Sequence, residues 1–256
     1  MAVAIEFKNV SKKFNKAGYY AIENINITIN EGEFITILGS SGSGKTTLLK
    51  LVNRLYEPDS GNIILFGEEI KKFDVVKIRR QIGYVIQQVG LFPHMTIKEN
   101  ISTVPKLLKW DKDKINNRVH ELLDLVGLNA DEFAKRFPRQ LSGGQQQRIG
   151  LARALAADPK IMLLDEPFGA IDAINRTILQ DELLQLHKRL EKTFLFVTHD
   201  IGEAFKMGSR VIIMNEGKVC QFDTPKNIIK NPSNNFVKTL LDSAMEQEKI
   251  WESLYD

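Results

Sequence analysis

The stretch "EFITILGSSGSGKTTLLK", Glu33 to Lys50, limits what this chain can fold into more than any other. An apolar run of the kind that forms a buried strand ends on Gly39, and "TTLLKLVNRL" continues beyond it with helical character. Between them, Gly39 to Thr46 fits the spacing G-x-x-x-x-G-K-[ST]. A loop of this kind between strand and helix turns the backbone N–H groups of Gly39, Ser40, Ser41, Gly42, Ser43 and Gly44 around a β-phosphate at a helix N-terminus, with Gly42 and Gly44 supplying the conformational freedom. Lys45 neutralises β- and γ-oxygens, the Thr46 hydroxyl can ligate Mg²⁺, and Thr47 adds a hydrogen bond to the α-phosphate.

Further patterns place this loop in a larger α/β frame. "AIEFKNV" and "AIENINITI" alternate apolar and polar residues, as half-exposed antiparallel strands do, and "GNIILFGEEI" reads as a Gly-bounded hairpin region. "IGYVIQ" is a strand candidate. From Pro93 to about Ala157 the periodicity becomes helical, as in "DKINNRVHELLDLVGL", which predicts an inserted helical subdomain over about 93–157. Strand patterns return in "IMLLDEP" and "TFLFVTHD", separated by the helix-like "NRTILQDELLQLHKRL", the βαβ alternation of a parallel sheet. "RVIIMNEGKVCQFD" predicts a hairpin turned at Asn215, Glu216 and Gly217. The expected fold is therefore α/β, a P-loop NTPase with a mainly parallel core sheet, an antiparallel β layer and the inserted helices. One domain is expected over 1–240, followed by a helical tail over 241–256. The end of the chain, "FVKTLLDSAMEQEKIWESLYD", spaces Val237, Leu241, Ala244, Trp251 and Leu254 roughly as an amphipathic helix does, to pack on its own domain or to meet a partner.

Two carboxylates end the apolar strand "IMLLDEP", where unpaired charge is expensive. Asp165 would hold Mg²⁺ directly or through water. Glu166, if the strand ends there, is released from strand alternation and becomes the candidate general base for an attacking water. His199 follows "FLFVT" and, in a parallel sheet, emerges at the same carboxyl edge as Asp165; its expected task is a hydrogen bond to the γ-phosphate. Gln87, after "IGYVI", can reach Mg²⁺ or the attacking water through its amide, with Gln88 as its rival. His94, His120 and His187 lack such a setting, and no metal-ligand cluster is visible.

Composition excludes several other classes. Thirty-five Lys plus Arg against 32 Asp plus Glu leave a formal charge of +3 with no basic block, so no nucleic-acid partner is expected. The single Cys220 cannot form an internal disulfide, and "MAVAIEFKNV" lacks the apolar run of a signal peptide, which points to the cytoplasm. No run of 18 apolar residues is present, so a link to a membrane goes through a partner.

The order of Gly39 to Thr47, Gln87, "LSGGQQQR", "LLDEP", "AID" and His199 resembles that of ATP-binding-cassette (ABC) ATPases, from about Val3 to Phe236. The resemblance implies that Ser142, Gly143, Gly144 and Gln145 form a signature motif that meets the γ-phosphate of an ATP held by a second ATPase subunit. It thus implies a head-to-tail dimer, most simply a homodimer, with two ATP and Mg²⁺ in the interface. A Gly-Gly turn capping "QQQRIGLARALAA" is an equally sound local reading, because capping and ligand binding use the same free N–H groups. Asp172 in "GAID" matches the loop that communicates between the two sites, although Ile171 stands where the family more often has leucine. An aromatic residue that stacks on adenine corresponds to Phe14, with Tyr19 and Tyr20 nearby and a core role for Phe14 also open.

"IRRQIGYVIQQVGLFPHMTIKENI", "VPKLLKW" and "VCQFDTP" further resemble ATPase subunits of bacterial importers for quaternary-amine osmoprotectants such as glycine betaine, carnitine and choline. That implies membrane permease subunits as partners, a substrate-binding protein reached through them, and a peripheral place at the cytoplasmic face of the membrane. Leu91, Phe92 and Met95 are then expected to line the groove that receives a permease helix. Many such relatives carry a C-terminal pair of cystathionine-β-synthase-type domains; this chain ends about twenty residues after "NPSNNFV", so that module is not expected. A soluble cassette ATPase acting on nucleic acid or ribosomes would need tandem cassettes, a long coiled coil or a basic arm. An exporter more often fuses its cassette to a membrane domain, and an inactive binding module is opposed by the intact Lys45, Asp165 and Glu166.

Overall fold

The computed structural model describes residues 2–14, 18–87, 90–169 and 171–253, with 247–253 described by backbone alone. Contacts divide the chain into two compact units, Met1–Asp74 with Leu195–Asp256, and Val75–Phe194. Gln88 and Leu254 lie outside the described residues, as does the side chain of Trp251.

In the first unit, β1 (Val3–Lys13) and β2 (Tyr20–Asn30) pair antiparallel, with β-bulges or irregularities along the register. Alternation places Ile5, Phe7, Ile25, Ile27 and Ile29 inside, as the sequence pattern requires. The next strand, β3 (Phe34–Gly39), is buried at every position, which is why it reads as an unbroken apolar run. It delivers the chain to α1 (Lys45–Val52), whose Leu48, Leu49, Leu51 and Val52 are buried. β4 (Ser60–Leu65) and the short β5 (Glu68–Glu69) complete an antiparallel sheet of order β2-β1-β4-β5.

The second unit opens with α2 (Val75–Arg80) and β6 (Ile82–Val85), then turns helical through α3 (Ile97–Leu107), α4 (Lys112–Leu125), α5 (Ala130–Phe133) and α6 (Gly143–Leu155). These starts are written into the sequence. Thr96 and Glu99 form a capping box on α3, Asp111 caps α4 and Asn129 caps α5. Buried Ile101, Val119, Leu122 and Ile149 mark the inward faces of α3, α4 and α6. β7 (Ile161–Asp165) pairs parallel with β6, Tyr84 opposite Leu163, and α7 (Ala173–Leu190) follows.

Through β8 (Thr193–Thr198) the chain returns to the first unit, with α8 (Ile201–Met207), β9 (Arg210–Asn215), β10 (Lys218–Asp223), α9 (Pro225–Lys230) and α10 (Asn235–Ser253). β9 lies parallel to β3, Gly39 opposite Met214. The β9–β10 hairpin turns on Glu216 and Gly217, both at positive φ (47° and 78°), the backbone that a two-residue turn needs. α10 begins before residue 241, and its Val237 and Leu241 are buried with Leu38, Ala204, Val211, Ile213 and Ile228. The first turns of this helix therefore belong to the core behind β3.

Candidate functional site

The glycines around Lys45 are required by space as well as by angle. A Cβ on Gly39 would lie 2.3 Å from the Met214 carbonyl oxygen and 2.6 Å from Ser43 Oγ. At Gly44, φ is +103° and a Cβ would meet the Ala21 carbonyl oxygen at 2.4 Å. Gly42 also has a positive φ, +79°, but nothing stands within 4 Å of its missing Cβ. The two positions should thus differ when changed. Gly44→Ala carries both backbone strain and a clash and is expected to cost about 2–5 kcal/mol, whereas Gly42→Ala carries about 1–2 kcal/mol of strain alone. Thermal denaturation of the two variants checks the order, and equal midpoints would contradict it.

Gly44 caps α1 from a left-handed backbone and with no side-chain hydrogen bond. Lys45 is the first residue of α1, and its Nζ donates to the carbonyl oxygens of Gly39 (2.7 Å) and Ser40 (2.9 Å). That contact sets the ammonium against the loop. Ser43 is buried and its Oγ has no hydrogen-bond partner among the described residues, while Ser40, Ser41 and Gly42 are exposed and Thr46 and Thr47 half-buried. Left-handed glycines before a helix N-terminus and a lysine set against the loop fit a phosphate chain.

Two further candidates stand in the same unit. His199 is exposed at the carboxyl end of β8, and the turn around it is fixed on both sides. Thr198 Oγ1 donates to Glu203 Oε2 (2.6 Å) and accepts from the Asp200 N–H (3.0 Å), while Asp200 Oδ1 accepts from the Glu203 N–H (3.0 Å). Phe14, 37% exposed, meets Tyr56 edge to face with ring centres 5.1 Å apart. Tyr19 is exposed, and Tyr20 carries Lys13 Nζ at 4.1 Å from its ring. Tyr56 was not legible as a ring partner, because it lies beyond α1 and only the fold brings it to Phe14.

The second unit holds the carboxylates. Asp165 is the last residue of β7 and is 7% exposed, with Tyr84 Oη donating to its Oδ2 at 3.3 Å. Glu166 has φ +45°, a left-handed backbone that is uncommon outside glycine and that breaks strand alternation where the sequence requires the side chain to turn. Its Oε2 accepts from Gln87 Nε2 at 3.2 Å, and its backbone carbonyl accepts from the Gly169 N–H at 3.2 Å. With Nε2 on Glu166, the Gln87 amide retains Oε1, the atom of the pair that can ligate a hard cation. Among the described residues no group of three or more His, Cys, Asp or Glu side chains could hold a metal. A buried carboxylate and an amide oxygen suit an ion that completes its shell with phosphate oxygens and water, as Mg²⁺ does.

Ser142 caps α6: its Oγ accepts from the Gln145 N–H (3.3 Å), and Gln145 Oε1 accepts from the Ser142 N–H (3.0 Å). Both Ser142 and Gly143 are exposed, and nothing lies within 4 Å of the missing Cβ of Gly143. Gln146 secures the turn from behind, donating to the carbonyls of Pro138 and Leu141 at 3.2 Å each. The run of three glutamines thus divides its labour, since Gln147 is buried. Asp172 caps α7 and is exposed; hydrogen bonds from the Asn175 side chain and backbone hold its carboxyl below the ordinary range.

Near the Gln87 segment a cleft of about 320 Å³ is lined by Arg79, Arg80, Tyr84, Phe92, Val104 and Arg153, among others. Phe92 is 39% exposed. Leu91 and Met95 are half-buried and do not line this cleft, so of the three expected groove residues only Phe92 does. The loop is tied by Asn100, a fully buried residue that sequence reasoning missed. Its side chain accepts from the Phe92 N–H (2.8 Å) and donates to the carbonyls of Phe92, Met95 and Thr96.

Residues 22–169 match the family described as "ABC transporter". The chain is 50% identical over 236 residues to the osmoprotectant import ATP-binding protein OsmV of Salmonella typhimurium, covering 91% of this chain and 62% of that protein. It is 52% identical over 237 residues to the choline transport ATP-binding protein OpuBA of Bacillus subtilis, covering 93% and 62%. It therefore spans about six tenths of the length of these curated relatives. Among solved structures, a dimeric post-hydrolysis state of the ATP-binding cassette MJ0796 bound to ADP and Pi aligns with a TM-score of 0.76 and 37% identity over 86% of this chain and 98% of that one.

Proposed function

This chain belongs to the ABC transporter family, and we propose that it is the ATP-hydrolysing subunit of an importer for a quaternary-amine osmoprotectant of the glycine betaine, carnitine or choline type. The observation that carries this reading is the identity of 50% or more, over nine tenths of the chain, with import ATP-binding proteins for an osmoprotectant and for choline. The phosphate loop binds the triphosphate, with Lys45 on its β- and γ-oxygens and Thr47 near the α-phosphate. Phe14 stacks on the adenine. Thr46, Asp165 and Gln87 would hold Mg²⁺, which when bound would supply positive charge against the transferring phosphoryl group. Glu166 takes the proton of the attacking water, Gln87 orients that carboxylate, and His199 donates to the γ-phosphate.

Ser142, Gly143, Gly144 and Gln145 act on the ATP of a second copy of the chain, with Asp172 at the boundary between the two sites. Dimerisation is supported by the ADP-bound dimeric neighbour. Among the described residues no helix is long and apolar enough to cross a membrane, and in this reading the chain works at the cytoplasmic face through permease subunits. Phe92 and the arginine-lined cleft around it receive a permease helix.

Uptake into cells carrying this chain and its permease subunits tests the assignment. The wild type is expected to accumulate at least one of labelled glycine betaine, carnitine and choline. Phe92→Asp should keep the ATPase activity of the isolated chain but lose both co-purification with the permease and uptake. No uptake of any of the three by the wild type, or full uptake with Phe92→Asp, would overturn respectively the substrate class and the docking surface.

A further inference from the structure

Tyr84 has no part in the ATP chemistry proposed above, yet the strand register brings it to the most buried carboxylate of the site. On the paired strands Tyr84 stands opposite Leu163, and Asp165 lies two residues beyond Leu163. Side chains two apart on a strand share a face, so Tyr84 and Asp165 form a diagonal cross-strand pair within reach of a long aromatic side chain. The phenol completes that reach, Oη donating to Asp165 Oδ2 at 3.3 Å. Asp165, a buried residue, gains from a donor that helps to hold one carboxylate oxygen in place, because rotation of the carboxylate redirects the oxygens available to a cation. A phenylalanine would fill the same space without that constraint.

We infer that Tyr84 is a positioning residue for Asp165, which sets the affinity of the nucleotide-bound chain for its divalent cation through the Oη to Oδ2 hydrogen bond. The inference rests on the reading of Asp165 as a metal-holding residue. Its consequence is a split between two affinities. Nucleotide binding without metal depends on the loop around Lys45, so loss of the hydroxyl should leave it alone; metal binding depends on the direction of the Asp165 carboxylate.

The test uses the purified full chain with ATP and Mn²⁺ as a paramagnetic probe, reading free and bound Mn²⁺ by electron paramagnetic resonance. ATP affinity is measured separately in EDTA with a fluorescent ATP analogue. Tyr84→Phe is expected to weaken Mn²⁺ binding by about 10-fold or more, the scale seen when the outer partner of a metal ligand is removed. Its nucleotide affinity in EDTA and its thermal midpoint should match the wild type. Mn²⁺ affinity equal to the wild type in Tyr84→Phe, beside a clear loss in Asp165→Asn, would overturn the role of Tyr84 and leave that of Asp165 standing. Wild-type Mn²⁺ affinity in Asp165→Asn would overturn both.

Discussion

Glu166→Gln is expected to bind ATP and Mg²⁺ as the wild type does and to lose ATP turnover by about 10²- to 10⁴-fold, the range that a positioned general base supplies. The change is nearly isosteric, and the amide oxygen can still accept from Gln87 Nε2, the contact made by Oε2 at 3.2 Å in the native chain. Backbone strain at residue 166 is also shared by both proteins, because φ +45° is a property of the turn and its Gly169 hydrogen bond. What disappears is the ability to take a proton. Phosphate release measured at saturating Mg²⁺-ATP decides the matter, and turnover at the native rate would remove Glu166 from the role of base. If closure of two chains precedes hydrolysis, the variant should also accumulate as an ATP-bound dimer.

Ser142→Arg should spare ATP binding to the single chain while abolishing dimer closure and, with it, hydrolysis. Loss of a group acting on a transition-state phosphate costs on the order of 10²- to 10³-fold in rate. Ser142 also caps α6, so a fall in activity alone would not separate the two tasks. Substitutions with opposite consequences do. Ser142→Ala removes the cap at about 1 kcal/mol of stability and introduces no bulk or charge. Ser142→Asp keeps a good cap but sets a negative charge where the reading places the partner's γ-phosphate. The aspartate variant is therefore expected to be as heat-stable as the wild type and still fail to dimerise with ATP, as followed by sedimentation. An aspartate variant that dimerises and turns over normally would leave Ser142 as a helix cap and nothing more.

The legible parts of this molecule are those where chemistry or backbone geometry demands a residue type at a fixed spacing. Gly39 to Thr46 announce a loop because no Cβ fits at Gly39 or Gly44, and the β9–β10 turn announces itself through Gly217. The helical segment declares its ends through Thr96, Asp111 and Asn129, whose side chains satisfy first-turn N–H groups.

What stayed hidden depends on register and long-range packing. Tyr84 reads as an ordinary strand residue until β6 is aligned with β7. Asn100 reads as a polar helix position, yet it is buried and fastens the loop before its own helix. The turn at Glu166 is invisible to local propensity, since nothing about glutamate favours φ +45°. Phe14 could not be separated from Tyr19 and Tyr20 by spacing alone; the fold gives Phe14 an aromatic partner in Tyr56 and leaves Tyr19 exposed. Val237 and Leu241, on either side of the expected tail boundary at 240/241, lie on one continuous helix and enter the same core, a packing that spacing alone does not reveal.

In the proposed dimer the phosphate loop of one chain meets the Ser142 turn of another. Disulfide trapping tests this contact. In a Glu166→Gln chain with Cys220 replaced by serine, single cysteines are introduced by Ser41→Cys and Ser142→Cys, and mild oxidation is carried out with and without Mg²⁺-ATP. A covalent dimer of twice the chain mass that forms only with ATP is the predicted result. An ATP-independent bond, a bond closed within one chain, or no bond at all would contradict the composite site.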